Sequence, residues 1–184
     1  MTQATDVVVQ PRRQGEVGDR LSHLARGEDH RAVSAHEPIK SISNETTFHE
    51  DTADPDLLDG HIWRLAEKVA DRAKARGIAG RVVTLKLKRA DHGLLTRRLS
   101  LRAPTQVADT LYRAARGLFD TAAGEGPFRL VGVGLSELSD AASVAAVGDL
   151  LDPGAARREE AERAVDRVRA RFGPDAIVKG RALR

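Results

Sequence analysis

Two neighbouring runs of alternating residues constrain the fold of this chain more than any other feature. Apolar and polar side chains alternate in residues 81–89 (RVVTLKLKR) and again in residues 94–102. The tripeptide Asp91-His92-Gly93 separates the two runs and is typical of a tight turn. Because successive side chains of a strand point to opposite faces, the pattern predicts a β-hairpin with one apolar and one cationic face.

Much of the positive charge of the chain is concentrated in this hairpin. The formal net charge of the 184 residues is only +3, which by itself argues little for a nucleic-acid partner. Residues 81–102, however, contain seven Lys or Arg side chains and a single acid, Asp91. A basic sheet face is often no more than a solvated surface, but this local excess is larger than solubility requires. The hairpin is therefore a candidate phosphate-binding surface.

The segments around the hairpin complete a β-α-β-β-α-β order. Residues 39–48 predict the first strand, and Asp54-Pro55 predicts the N-cap and the first turn of a helix. Thr105 is expected to cap a second helix, and residues 128–135 predict the last strand. The predicted fold class is α+β: a four-stranded antiparallel sheet with two helices on one face.

Short N-terminal and longer C-terminal helical appendages are expected to flank this domain. Residues 1–14 predict a disordered start, and residues 15–38 a short helix followed by a tether. The sheet domain is assigned to residues 39–138, and residues 139–184 to a linker and a C-terminal helix. That helix is expected to begin at Asp152-Pro153, with its charged residues on a solvated face. Its apolar side is expected at Ala161, Val165, Val168 and Phe172.

Composition argues against several kinds of site. The chain has no cysteine, so disulfides and thiolate metal sites are ruled out. No apolar run approaches the ~18 residues of a membrane span, and a signal-peptide core is lacking, which favours a cytoplasmic protein without a membrane partner. The six histidines lack ligand spacing, and the acids of residues 50–59 suit a helix N-terminus better than a metal site. No catalytic residue and no metal ligand is predicted.

The predicted topology also occurs in RNA-recognition modules, which stack bases on aromatic side chains of their two central strands. With residues 94–101 and 128–135 in that role, the only aromatic residue is Phe128, at a strand start. The stacking platform is missing, which favours contact with a duplex backbone over base readout.

A family resemblance is carried by four segments that follow one another along the chain. They are Lys40–Phe48 (KSISNETTF), Val83–Lys88, Thr96–Leu101 and Arg129–Leu135. Together they resemble the little-finger domain of Y-family translesion DNA polymerases, of the bacterial DNA polymerase IV type. Residues 21–29 (LSHLARGED) resemble the end of the thumb domain and the tether that precede it.

The resemblance implies a domain of a DNA repair polymerase that binds the backbone of primer–template DNA without sequence preference. Family contacts on the first and third strands carry over to Lys40, Ser41, Ser43, Arg97 and Arg98. Arg97 fits least well, because alternation from Leu99 points it towards the core unless a bulge turns it outward. The full set of expected DNA-binding residues is Lys40, Ser41, Ser43, Lys86, Lys88, Thr96, Arg97, Arg98 and Ser100.

Two departures from the family pattern bear on cofactors and partners. The family's palm domain holds two Mg²⁺ ions for nucleotidyl transfer. Nothing in this sequence matches the palm, so the chain is expected to have no cofactor and no catalysis of its own. A sliding-clamp motif of the Gln-Leu-x-Leu-Phe type would correspond to residues 147–151 (VGDLL). The glutamine, the first leucine and the phenylalanine are absent, which argues against a clamp partner.

These features are interpreted as a truncated polymerase that lacks palm and fingers. It is either a pseudogene product, a fragment of a gene model or a subunit of a split gene whose partner is the catalytic part. The alternative is a free-standing nucleic-acid-binding or interaction module with a regulatory role.

Overall fold

A computed structural model describes residues 15–29, 31, 38–144 and 154–180. The chain divides into two compact units, residues 1–38 and residues 39–184. In the first unit, helix α1 spans Gly15–Ala25, inside the segment predicted as a short helix and tether. The expected disordered start, residues 1–14, lies outside the described residues. The assignment of residues 15–38 to a thumb remnant stays a prediction, as do the predicted domain boundaries.

The second unit contains the predicted strands and helices in the predicted order. They are β1 (Ser41–Thr52), α2 (Pro55–Ala75), β2 (Ile78–Arg89), β3 (Leu94–Thr105), α3 (Ala108–Asp120) and β4 (Phe128–Asp140). A 3-10 turn at Ala123–Glu125 precedes β4, the short helix α4 (Ala141–Val144) follows it, and α5 spans Ala155–Phe172.

The four strands form one sheet in the order β1-β4-β2-β3, and each neighbouring pair is antiparallel. Helix α2 connects β1 to β2, and helix α3 connects β3 to β4. Each helix therefore joins two parallel strands that have a third strand between them. The predicted α+β fold class is confirmed.

The two central strands are β2 and β4. The expectation that residues 94–101 form a central strand is wrong, because they belong to the edge strand β3. The two central strands nevertheless lack an exposed aromatic residue on which a base could stack. Strand β2 contains no aromatic residue, and Phe128 at the start of β4 is completely buried.

Helix α2 begins as its sequence predicts and buries its apolar side against the sheet. The Asp54 carboxylate accepts hydrogen bonds from the backbone N–H of Asp56 (2.9 Å) and Leu57 (3.3 Å), and Pro55 opens the first turn. Buried positions recur at helical spacing at Leu58, Ile62, Leu65, Val69 and Ala73. They lie in one core with the apolar side chains of β2 and β4, namely Val83, Leu85, Leu87, Val131, Val133 and Leu135.

Helix α3 is capped differently from the prediction. Thr105 is the last residue of β3, and Val107 occupies the N-cap position, where its side chain makes no capping hydrogen bond. The Glu162 carboxylate of α5 accepts hydrogen bonds from Ala108 N (2.9 Å) and Asp109 N (3.4 Å) instead. A distant acid thus satisfies donors that a helix leaves open at its start.

Helix α5 packs through charged side chains, contrary to the solvated face predicted for them. Glu162 is buried, whereas Phe172 of the predicted apolar side is 67% exposed. Lys74 Nζ lies 2.6 Å from Glu162 Oε1 and 2.7 Å from Asp166 Oδ2. Ion pairing on this face continues further along α5, where Arg169 lies 3.1 Å from Glu67. The predicted start of the helix at Asp152-Pro153 lies outside the described residues.

Candidate nucleic-acid interface

The sheet face opposite α2 and α3 is organised in cross-strand rows, because directly paired residues of antiparallel strands share a face. Each row takes one residue from β3, β2, β4 and β1, in that spatial order. One middle row contains Thr96, Lys86, Gly132 and Glu45. The neighbouring row contains Arg98, Thr84, Gly134 and Ser43.

Glycines on the central strand β4 form the floor of a groove. In both middle rows the β4 position is a glycine, Gly132 or Gly134, while the neighbouring strands carry side chains. The resulting groove has a volume of about 430 Å³. Its walls combine cations and hydroxyl groups, which are the groups that contact nucleic-acid phosphates.

Five of the nine predicted DNA-binding residues line this groove: Ser41, Ser43, Lys86, Thr96 and Arg98. Three others, Lys40, Lys88 and Ser100, are not among its lining residues. Lys40 precedes β1 and is exposed, Lys88 pairs with Leu94 and Leu130, and Ser100 pairs with Val82 at the end of the hairpin register. Whether these residues contact DNA stays a prediction.

Arg97 lies on the helix side of the sheet. It pairs with Leu85, a core residue of β2, and the β2–β3 register is continuous from Val82 to Lys88. The bulge that could turn Arg97 outward is therefore absent at this position, and the register shift lies between Gly80 and Val82 instead. The Arg97 guanidinium is 2.9 Å from Glu125 Oε1. Its side chain does not join the cations of the open face.

The two cations of the middle rows have different partners. Lys86 Nζ lies 2.8 Å from Glu45 Oε2, and the pair spans Gly132. Arg98 donates a long hydrogen bond to the Ser136 hydroxyl (3.4 Å) and, among the described residues, forms no ion pair with a carboxylate. Arg98 is thus the cation of the groove that a phosphate can reach without displacing an acid.

The groove also has lining residues outside the predicted DNA-binding set, among them Glu45, Gly132 and Gly134. The signals were present in the strand period. Glu45 follows Ser41 and Ser43 at alternate positions, and glycines alternate with valines in residues 131–134 (VGVG). The missing step was the strand order, because only the pairing with β4 brings Glu45 and Lys86 into one row.

The acids near the start of α2 do not form a donor set for Mg²⁺. Asp54 caps the helix, Asp51 lies 3.5 Å from Arg129, and the buried Asp59 accepts a hydrogen bond from the Tyr112 hydroxyl (2.5 Å). Within residues 15–29, 31, 38–144 and 154–180, no group of three or more His, Asp or Glu side chains is placed to hold a metal ion.

Candidate membrane spans were sought in the same residues. Over the part of the chain that the structure describes, every helix is too short or too polar to cross a bilayer.

The fold and the groove define a class: two-layer α+β domains with a split β-α-β topology and an open, cationic sheet face. The chain belongs to the impB/mucB/samB family, because residues 39–147 match the model of that family's C-terminal domain. Together with the DNA polymerase IV relatives described next, this match confirms the expected resemblance to the Y-family polymerase little finger of the DNA polymerase IV type.

Curated relatives agree with this family. The chain is 41% identical over 181 residues to DNA polymerase IV of Caulobacter vibrioides, covering 98% of this chain and 44% of that protein. It is 44% identical over 169 residues to DNA polymerase IV 1 of Mesorhizobium japonicum, covering 92% of this chain and 38% of that protein. The chain therefore spans less than half the length of these relatives.

Solved structures with a similar arrangement include an insertion ternary complex of Dbh DNA polymerase. It has 15% identity and a TM-score of 0.48, and the match covers 65% of this chain and 34% of that one. Another is a complex of the beta-clamp processivity factor and the little finger domain of PolIV, with 24% identity, a TM-score of 0.44, and coverage of 52% and 86%. The expectation that this chain does not bind a clamp stays a prediction. Residues 147–151, on which the expectation depends, lie outside the described residues.

Proposed function

We propose that this chain binds the backbone of primer–template DNA without sequence preference, as the little-finger part of a polymerase that acts in translesion synthesis. The observation that carries the proposal is the groove on the open sheet face, whose glycine floor lies between hydroxyls on β1 and cations on β2 and β3. Cations release counterions when they neutralise phosphates, and hydroxyls position the strand. Family membership of residues 39–147 supports the same role.

The width of the sheet also suits a duplex. Strands β1 and β3 are the two edges, and three strand spacings of about 4.8 Å place Ser43 about 14 Å from Arg98. The major groove of B-DNA is about 12 Å wide. The hydroxyl edge and the Arg98 edge can therefore each approach one of the phosphate strands that border a groove.

A salt titration tests the proposal. Fluorescence anisotropy with a primer–template duplex should give weak binding whose log affinity falls with log salt by a slope of about −3.6 to −5.4, for four to six phosphates. Arg98→Ala should reduce the magnitude of this slope by about 1 without creating a sequence preference. The matched control is Arg167→Ala on the exposed side of α5, which should leave the slope unchanged.

Absence of binding at low salt would refute the proposal, and an unchanged slope in Arg98→Ala would remove Arg98 from the interface. The proposal also includes a negative part: magnesium-dependent nucleotidyl transfer requires residues outside this chain. The purified chain should give no primer extension with dNTPs and Mg²⁺. Extension that a substitution within this chain abolishes would contradict that part.

A further inference from the structure

An acid lies on the face that the proposed function assigns to phosphate. Glu45 is on the edge strand β1, two residues after Ser43, and its side chain is 51% exposed. Its carboxylate is 2.8 Å from the ammonium group of Lys86 on β2, although β4 lies between the two strands. A carboxylate among these cations lowers the positive potential of the face.

Gly132 makes this contact across β4 possible. It stands between Glu45 and Lys86 in the same cross-strand row. A Cβ atom at this position would lie 3.0 Å from Glu45 Cβ, which is tighter than ordinary contact. Because the row has no side chain at its centre, the Glu45 and Lys86 side chains meet above the backbone of β4.

Stability does not account for the pair. Both side chains are in water, with Lys86 40% exposed, and ion pairs of this kind contribute little to the stability of a fold. The same exposure makes the pair easy to separate. A phosphate that enters the groove can take Lys86 as its counterion, and it then lies close to the carboxylate that Lys86 has left.

On the basis of the proposed function, we infer that Glu45 competes with DNA phosphate for Lys86. This competition limits the affinity of the open sheet face for DNA. Arg98 supplies a constant cation, and Lys86 supplies one only when its acid is displaced. Each phosphate contact at Lys86 therefore includes the loss of the contact with Glu45 and repulsion between two anions. The domain binds the duplex but releases it more readily than its cation content alone would allow.

The test compares Glu45→Gln with the wild-type chain by anisotropy on a primer–template duplex over a range of salt. Gln keeps the shape of Glu and removes its charge. We expect binding about two- to fivefold tighter at 0.15 M salt, and a salt slope steeper by about 0.9, because one more cation is free for phosphate. The matched control, Glu160→Gln on the exposed side of α5, makes the same change in net charge away from the sheet and should shift affinity less than twofold.

A double-mutant cycle assigns the effect to Lys86. Lys86→Ala should weaken binding more in the Glu45→Gln background than in the wild-type background, because only in the former is the ammonium group unpaired. An equal loss in the two backgrounds would show that Glu45 does not act through Lys86 and would overturn the inference. Thermal melts of each variant verify that the fold is retained.

The remaining outcomes are also decisive. If Glu45→Gln and Glu160→Gln tighten binding equally, net charge is responsible and the inference fails. If Glu45→Gln weakens binding, Glu45 orients Lys86 towards phosphate, which also overturns it. If the wild-type chain binds DNA but Glu45→Gln binds no more tightly, the inference about Glu45 fails and the proposed function stands. No binding by either the wild-type chain or Glu45→Gln refutes the proposed function, and the inference with it.

Discussion

Two lysine–glutamate pairs in this chain have similar lengths and opposite surroundings. Lys74 and Glu162 join α2 to α5 at 2.6 Å, with side chains 24% and 8% exposed. Lys86 and Glu45 span β4 at 2.8 Å, with side chains 40% and 51% exposed. Distance alone would make the two pairs equivalent, but their solvent exposure and their other partners separate them.

The Lys74–Glu162 pair belongs to a network. Glu162 also accepts from two backbone N–H groups of α3, and Lys74 also donates to Asp166 (2.7 Å). Burial alone would lower the pKa of Lys74, but the hydrogen bonds to Asp166 and Glu162 raise it above its ordinary value of 10.5, so the lysine stays charged. The first pair therefore holds a helix in place, whereas the second, exposed to solvent, can exchange partners.

The largest effect is expected from Glu162→Ala. This change leaves two N–H groups at the start of α3 without their acceptor and removes one partner of Lys74, so the free energy of unfolding should fall by about 2–3 kcal/mol. Urea unfolding measures the loss, and the Ala108 and Asp109 amides should exchange hydrogen faster. Glu160→Ala, on the exposed side of the same helix, should change neither. Equal behaviour of the two variants would mean that Glu162 does not hold α5 in place.

Asp166→Asn should have a smaller effect in the same direction. Asp166 is 35% exposed, and its partner Lys74 keeps its contact with Glu162 when Asp166 is changed. A loss of about 0.5 kcal/mol in urea unfolding is expected. A loss as large as that of Glu162→Ala would show that the network, rather than the capping of α3, supplies most of the stabilisation.

A third ion pair tests whether the face of the sheet matters. Arg97 and Glu125 are 2.9 Å apart and 40% and 36% exposed, close to the exposure of the Lys86–Glu45 pair, but they lie on the helix side. Glu125→Gln should therefore change DNA affinity less than twofold in the anisotropy assay. A gain equal to that of Glu45→Gln would instead support Arg97 as a DNA-binding residue, as the family resemblance implies.

The smallest effect concerns His61, a base with cations around it. Burial, with Arg64 and Lys68 nearby, lowers the pKa of His61 below its ordinary value of 6.5. The unfolded chain therefore takes up a proton at a higher pH than the folded chain does. The contribution of neutral His61 to the free energy of unfolding is complete above pH 6.5 and is lost as the pH falls through the folded-state pKa. Thermal melts between pH 8 and pH 5 should show this decline, and His61→Asn should flatten it. Identical profiles would contradict the assignment.

The fold was predictable where one period dominates the sequence. Alternation of Val83, Leu85 and Leu87 defined the buried face of β2, and Asp54-Pro55 defined the start of α2. Helix α5 itself was expected, but its packing was not predictable in this way, because it packs through charged positions. Its contacts come from Glu162, Asp166 and Arg169, which a search for apolar periodicity assigns to solvent. The cap of α3 was missed for a related reason, since its acceptor is 54 residues away along the chain.

The candidate site was predictable in its composition but not in its arrangement. The alternating hairpin identified Lys86 and Arg98 as residues of one polar face, and both line the groove. Lys86 and Arg98 differ in their partners, and this difference depends on which strands lie next to β4. That strand order brings Glu45 to Lys86 and leaves Arg98 with a hydroxyl. No local pattern in the sequence contains this information, because β1 and β2 are separated by the whole of α2.

The position of β3 at the edge of the sheet gives its arginines a second consequence. An edge strand of 12 residues presents unpaired backbone groups that invite another chain to add a strand. Arg97, Arg98 and Arg102 place charge along this edge, where two such chains would have to meet, and Leu94 and Leu99 are exposed beside them. Charge on an edge strand opposes aggregation. Arg98, which suits a phosphate backbone, is therefore also placed to oppose strand addition by a second copy of this domain.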